Sequence, residues 1–265
     1  MVATGVVART RARLLDRVAV VRLAAVVVVL ALWESLAASG LLYRDVVPSL
    51  ARIAAATAKL LSNAGFYANL STSAWEVVVA VVIGAGSGLF VGLALGANRF
   101  LSDAFERYLY YLGPTPKIVF FPIMIMWFGV GPGSKVAMGA ISCFFPVALS
   151  TAAGMRRIDP VLIRVGRSFG ASLMQMVAKI YLPAMRAPVL NGIRLGFGIA
   201  IIGVLLAETK LSKEGLGFMI TQAYSLFDMP TMYAILIVVF AIAIAGNAGL
   251  GRLVAGRRAG HHSHA

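Results

Sequence analysis

Six stretches of nearly unbroken apolar residues, at 18–39, 72–97, 107–129, 134–154, 189–208 and 230–251, are set apart by shorter polar segments. Each comes close to the roughly 20 residues that a helix needs to cross the hydrocarbon core of a bilayer. A lipid-spanning segment must satisfy its own backbone, so the pattern predicts an all-α integral membrane protein with about six transmembrane helices. The same pattern divides the chain into three parts. A basic N-terminus, first helix and external segment fill 1–71, a five-helix core fills 72–251, and a basic, His-rich tail fills 252–265.

The interruption at 155–188 carries the strongest local signals. Asp159 before Pro160 supplies a capping oxygen and then a residue whose missing N–H costs nothing at the first helical position, which predicts a helix from there to Phe169. Gly170 suits the left-handed geometry that ends a helix, and Ser172 with Gln175 three residues later reads as a capping box that starts another. Leu173, Met176 and Ile180 fall at one-turn spacing, with Gln175 and Lys179 elsewhere, and Leu182-Pro183 is expected to end this second helix before the fifth span. The prediction is an amphipathic hairpin lying under the membrane; a lipid-bound surface helix has the same pattern.

Composition agrees with the membrane reading. Of 265 residues 60% are hydrophobic and 13% charged, against about 25% charged in a soluble domain. The net charge of +14 does not point to nucleic acid, because the arginines lie in short segments beside apolar runs. With six spans, one side holds Arg9, Arg11, Arg13, Arg17, Arg22, Arg99, Arg107, Arg156, Arg157, Arg164, Arg167, Lys179, Arg186, Arg194, Arg252, Arg257 and Arg258. The other side holds Arg44, Arg52, Lys59, Lys135, Lys210 and Lys213. The positive-inside rule makes the first side cytoplasmic, together with both termini and the hairpin, in a bacterial plasma membrane. The arginines before Val26 resemble the charged region of a signal peptide, but without a small-x-small cleavage site the segment reads as an uncleaved first span. Cys143, the single cysteine, sits in an apolar run and reads as a small buried hydrophobe.

Candidates for chemistry are few. Gly84, Gly88, Gly92 and Gly96 make a smooth strip on the second span, read as helix packing within the chain. The stretch 129–135, GVGPGSK, superficially resembles a phosphate loop but lacks the Gly-Lys-Ser/Thr that would cradle ATP. Lys117, among Pro114, Pro116 and Pro122, is a candidate for attracting an anionic solute, set against snorkelling to the headgroups. Met126 and Phe145 are candidates for an apolar gate, set against plain packing. Glu208 is expected at the outer end of the fifth span, paired at the surface with Lys210 or Lys213. Glu34 and Glu76 fall toward span ends and are not selected as solute ligands. Ser142, Ser150 and Thr151 suit a neighbouring helix or a solute equally. The closing GHHSHA reads as a tail or an adventitious metal site, and no catalytic constellation is present.

The spacing of Gly170, nine residues, Ile180, one residue and Leu182-Pro183 resembles the cytoplasmic loop of the permease subunits of binding-protein-dependent ABC importers, with its pattern E-A-A-x3-G-x9-I-x-L-P. Arg164, Val165 and Gly166 stand where that family often has Glu-Ala-Ala. The stretches 114–135, 144–160 and 215–219 are similar to the nitrate, sulfonate and taurine branch. The resemblance implies a type I ABC importer permease fold and a hairpin that couples to a cytoplasmic ABC ATPase dimer. Its ATPase-coupling residues would be Arg164, Arg167, Ser168, Phe169, Gly170, Ala171, Ser172, Leu173 and Gln175, while Ile180, Leu182 and Pro183 hold the loop. It implies an extracytoplasmic solute-binding protein and a second permease copy or a sister permease as partners, with a gate near Glu208 at the outer end of the fifth span. It also implies that this chain binds no cofactor, with Mg-ATP on the partner ATPase, and carries no enzymatic activity of its own. An ion-gradient-driven secondary transporter and a non-transporting membrane assembly subunit are the competing readings; no clear internal repeat or mid-span carboxylate favours the former.

Overall fold

The structure, a computed structural model, describes residues 3–40 and 46–255, with side chains over 18–40 and 46–252. Arg44, Arg257, Arg258 and the His-rich stretch 260–265 lie outside the described residues, as do the side chains of Arg9, Arg11, Arg13 and Arg17. Every described element is helical. In order they are α1 (Ala3–Ser39), α2 (Leu50–Leu61), α3 (Ala64–Ala97), α4 (Arg99–Leu112), α5 (Lys117–Phe128), α6 (Pro132–Met155), α7 (Pro160–Ser168), α8 (Leu173–Leu211), α9 (Leu216–Ser225) and α10 (Met229–Ala255).

Five of these are long and apolar enough to cross a membrane: α1 from Val18, α3, α6, α8 and α10. The third expected span, 107–129, is not one straight helix. It is the pair α4 and α5, bent by 97° at the break around Gly113–Pro116. Proline there removes backbone donors and clashes with the preceding turn, so the chain turns instead of continuing. The pair still makes one traverse. Glu106 of α4 meets Arg156 just past the end of α6, whereas a β-carbon on Gly133, at the start of α6, would press on Phe128 at the end of α5. Six traverses result, and the start of α1 and the end of α10 lie at the same end of the bundle.

Helix α6 runs through the middle, flanked by α3 and α8, and the flanks meet it through glycine. A β-carbon on Gly84, Gly88 or Gly92 of α3 would come under 3.0 Å from the carbonyl oxygens of Ala140, Phe144 or Ala148. From the other side Gly192, Gly196 and Gly203 of α8 sit equally close to Ser150, Cys143 and Ser142. Lipid gives no hydrophobic drive for helices to associate, so close approach and dispersion must hold them, and the glycine strip serves packing inside this chain. Cys143 is fully buried in that seam.

The fifth span also departs from expectation. Leu182-Pro183 does not end a helix; α8 passes through it to Leu211. A π-turn over Val177–Tyr181 resets the hydrogen-bond ladder, so Pro183 falls in the first turn of the continuing stretch, where its missing N–H is harmless, and a kink at Met185 absorbs the remainder. From Val18 onward helix α1 is largely exposed, and it docks near its end, where Trp33 donates to the Pro48 carbonyl at 3.0 Å and stacks edge-on with Tyr233.

Candidate functional site

The hairpin between α6 and α8 forms as its residues dictate. Asp159 caps α7 by accepting from the Val161 N–H at 2.8 Å, Gly170 takes φ +67°, and Ser172 and Gln175 exchange both capping-box bonds. Gly166 is where the two arms touch: a β-carbon there would lie 2.6 Å from the Met176 sulfur. Met176 and Ile180 pack with Met155, Ile158, Tyr181 and Met185, fastening the hairpin to the ends of α6 and α8.

Leu173 does not share that buried face. It is 81% exposed, with Phe169 at 85% and Met174 at 76%, so the turn at Gly170 presents three large apolar side chains to solvent. Arg164, Arg167, Ser168, Ser172 and Gln175 are exposed around them and Ala171 is half-buried. Next to the hairpin Glu106 and Arg156 form a bidentate pair at 2.5 and 2.6 Å, joining α4 to the end of α6. The sequence reading passed over this pair because the partners are fifty residues apart and Glu106 sits in a π-turn of α4 that no sequence pattern marks.

At the opposite end of α6 and α8 lies a buried polar cluster. Glu208 is 1% exposed and does not pair with Lys210 or Lys213; its carboxylate accepts from Ser73 Oγ and from the Gly217 N–H, each at 2.6 Å. Ser73 in turn accepts from the Leu216 N–H at 2.8 Å, and Asn69 Oδ1 from the Gly215 N–H at 2.7 Å. The carboxylate thus pins the loop between α8 and α9 onto α3. Gly215, at φ +105°, is needed for this, because a β-carbon there would run into the Glu208 carboxyl.

Glu76 and Lys135, set aside on sequence as residues near span ends or outside them, are also inside. Glu76 is fully buried, Lys135 is 5% exposed, and Lys135 Nζ donates to Glu76 Oε1 at 3.2 Å. Glu76 lies three residues along α3 from Ser73, the residue that donates to Glu208, so the two carboxyls belong to one buried cluster. A charged residue five positions inside an expected span was the available signal. Above this pair opens a cavity of about 710 Å³ between α3, the start of α6 and the end of α8.

Lys117 lies at the break between α4 and α5. It donates to the carbonyls of Gly113 and Thr115, which the broken helix leaves free, and its ammonium sits 5.1 Å over the Phe145 ring. It lines a cavity of about 230 Å³ with Ser142, Gly203 and Leu206. Ser142 itself bonds back to Met138 of its own helix. Met126 is 83% exposed on the outside of α5.

Comparison with known proteins fits this architecture. Residues 80–258 match the family of the binding-protein-dependent transport system inner membrane component. The putative aliphatic sulfonates transport permease protein SsuC of Bacillus subtilis is 30% identical over 81% of this chain and 78% of its own. The taurine transport system permease protein TauC of Escherichia coli is 29% identical over 72% and 70%. The formylaminopyrimidine transport permease protein ThiX of Halalkalibacterium halodurans is 26% identical over 73% and 77%. Among solved structures, the inward-facing MetNI methionine ABC transporter matches with a TM-score of 0.59 at 18% identity, over 73% of this chain and 98% of that one, which shows a shared fold. The chain therefore belongs to the binding-protein-dependent transport system inner membrane components, as a multi-pass, non-catalytic permease subunit of an ABC importer whose ATPase is a separate protein.

Proposed function

We propose that this permease drives uptake of a small, anionic or anion-bearing solute by lodging the Gly170 hairpin in a groove of a cytoplasmic ABC ATPase dimer that holds Mg-ATP. The apolar tip carries the reading: Phe169, Leu173 and Met174 are the most exposed apolar side chains of the hairpin, with Val161, Leu162 and Val165 about half exposed along α7, and an exposed apolar patch of this kind is the mark of an interaction surface. Gly170, Ala171, Ser172 and Gln175 shape the tip, and Arg164, Arg167 and Ser168 rim it. Arginine at 164, where the family often has glutamate, gives the tip positive charge and calls for carboxylates on the ATPase. Ile180, Leu182 and Pro183 belong to the base that joins the hairpin to α8, so closure of the ATPases moves α6 and α8 together. The hairpin end is cytoplasmic, with both termini, by its surplus of arginine. The far end receives solute from an extracytoplasmic binding protein, and a second copy or a sister permease completes the pathway. Lys117, Phe145, Met126 and Glu208 are the residues proposed beside that pathway.

The anionic solute rests on the sulfonate and taurine relatives and on the lysines at the far end. The test is uptake of taurine and of ethanesulfonate into proteoliposomes holding this chain, its ATPase and its binding protein. Uptake that needs ATP and ignores imposed proton or sodium gradients is expected. Uptake driven by either gradient without ATP would favour the secondary-transporter reading.

A further inference from the structure

The cavity opposite the hairpin has an unusual floor. Lys135 is an ammonium with three N–H donors, its side chain is 6% exposed, and its one described partner is a single carboxylate oxygen at 3.2 Å. A buried cation with spare donors facing a cavity is electrostatically incomplete, since burial removes the water that would otherwise take them. The surroundings favour an anion. Lys210 and Lys213 stand exposed on the rim without a described ion pair, against one rim carboxylate, Glu214. Gly131 and Pro132, at the N-terminus of the 24-residue α6, line the same space, and the positive end of that helix adds to the field. Glu76, meanwhile, has one oxygen on Lys135 and its other oxygen, Oε2, without a hydrogen-bond donor.

We infer that this cavity is an anion-receiving site in which Lys135 is the anchoring cation and Glu76 the internal counter-ion that an arriving anionic group displaces. The ligand class is a small solute with an oxyanion head, sulfonate or carboxylate, that can replace Glu76 Oε1 on the ammonium while Lys210 and Lys213 draw it in from the rim. The exchange is one of carboxylate for oxyanion on a single lysine. Lys135 stays paired throughout, the displaced Glu76 carboxylate is neutralised by a proton from solvent in the cavity, and entry of the solute loosens α3 from α6 at the point where Glu76 and Lys135 join them. The inference rests on the importer reading and names the group that first touches the solute inside the membrane.

The test is a ligand-observed NMR titration of the full chain in lipid nanodiscs with ethanesulfonate, with ethylammonium as the cation control. The native chain is expected to bind ethanesulfonate and not ethylammonium. Glu76→Gln, which frees Lys135, is expected to bind at least threefold tighter. The neutral pair Glu76→Gln/Lys135→Gln, which leaves no buried charge stranded and so keeps the test usable should a single variant misfold, is expected to bind at least tenfold weaker. No binding by the native chain, or equal binding by the neutral pair, overturns the site. So does a loss with Lys210→Gln/Lys213→Gln as large as that with the neutral pair, because the rim would then account for the affinity. Capture of the ATPase by the native chain is read in parallel: capture without anion binding removes this site alone, whereas failure of capture removes the importer mechanism.

Discussion

Glu208 illustrates what a single residue's surroundings decide. On sequence it stands two residues from Lys210 near the end of an apolar run, and a surface ion pair is the natural expectation. In the fold it is buried with two donors aimed at it, and the Gly-Leu-Gly run at 215–217 exists to bring backbone N–H groups that close. Glu208→Gln replaces one accepting oxygen with a donor and strands Ser73 or the Gly217 N–H, so a loss of about 1–3 kcal/mol in a thermal or denaturant melt is expected. Gly215→Ala is expected to cost about as much, roughly 1–3 kcal/mol, by forcing a side chain into the Glu208 carboxyl at a positive φ. At the neighbouring pair the asymmetry is larger. Lys135→Ala leaves Glu76 buried and unpaired and is expected to destabilise by about 3–5 kcal/mol, while Glu76→Gln with Lys135→Gln recovers most of that. None of these partners was visible in the sequence, since Glu76 and Lys135 are fifty-nine residues apart and only packing of α3 on α6 brings them together.

Elements were legible where the code is local. The Asp159-Pro160 start, the Gly170 stop and the Ser172–Gln175 box all act within four residues, and all three appear in the structure. The bend between α4 and α5 and the continuity of α8 were not legible. Proline signals a disturbance of the helix, but whether the chain turns by 97° or absorbs the proline in a π-turn depends on what packs outside it. The glycine seam offers a clean comparison within one helix. Gly92→Val drives a branched side chain into Ala148 and Thr151 and is expected to cost about 1–3 kcal/mol; Gly86→Val, where a β-carbon meets nothing, is expected to be close to neutral. The melting of the two variants in the same detergent checks this. For the pair linking α4 to α6, a double-mutant cycle on Glu106 and Arg156 is expected to return a coupling of about 0.5–1 kcal/mol, small because the Arg156 side chain is 42% exposed.

For the whole molecule, hydrophobic periodicity set the number of traverses, and an even number puts the two termini at one end of the bundle. The long-range packing that makes α6 a shared shaft between two ends had to come from the fold. That shaft is about 36 Å long at 1.5 Å per residue, roughly the depth of a bilayer, with the exposed hairpin at one end and the Glu76–Lys135–Glu208 cluster at the other. On the proposed mechanism a motion imposed on the hairpin would reach the far cavity through α6 and through α8 beyond its kink at Met185. ATP hydrolysis by the partner ATPase, co-purified with this chain in lipid, tests the account most directly when the native chain is set beside Gly170→Asp. The native chain is expected to capture the ATPase and support solute-stimulated turnover. In the variant a side chain at φ +67° and a carboxylate among Phe169, Leu173 and Met174 should release or uncouple the ATPase, while the melting of the chain stays close to native. Capture and solute-stimulated turnover left intact by Gly170→Asp would contradict the account.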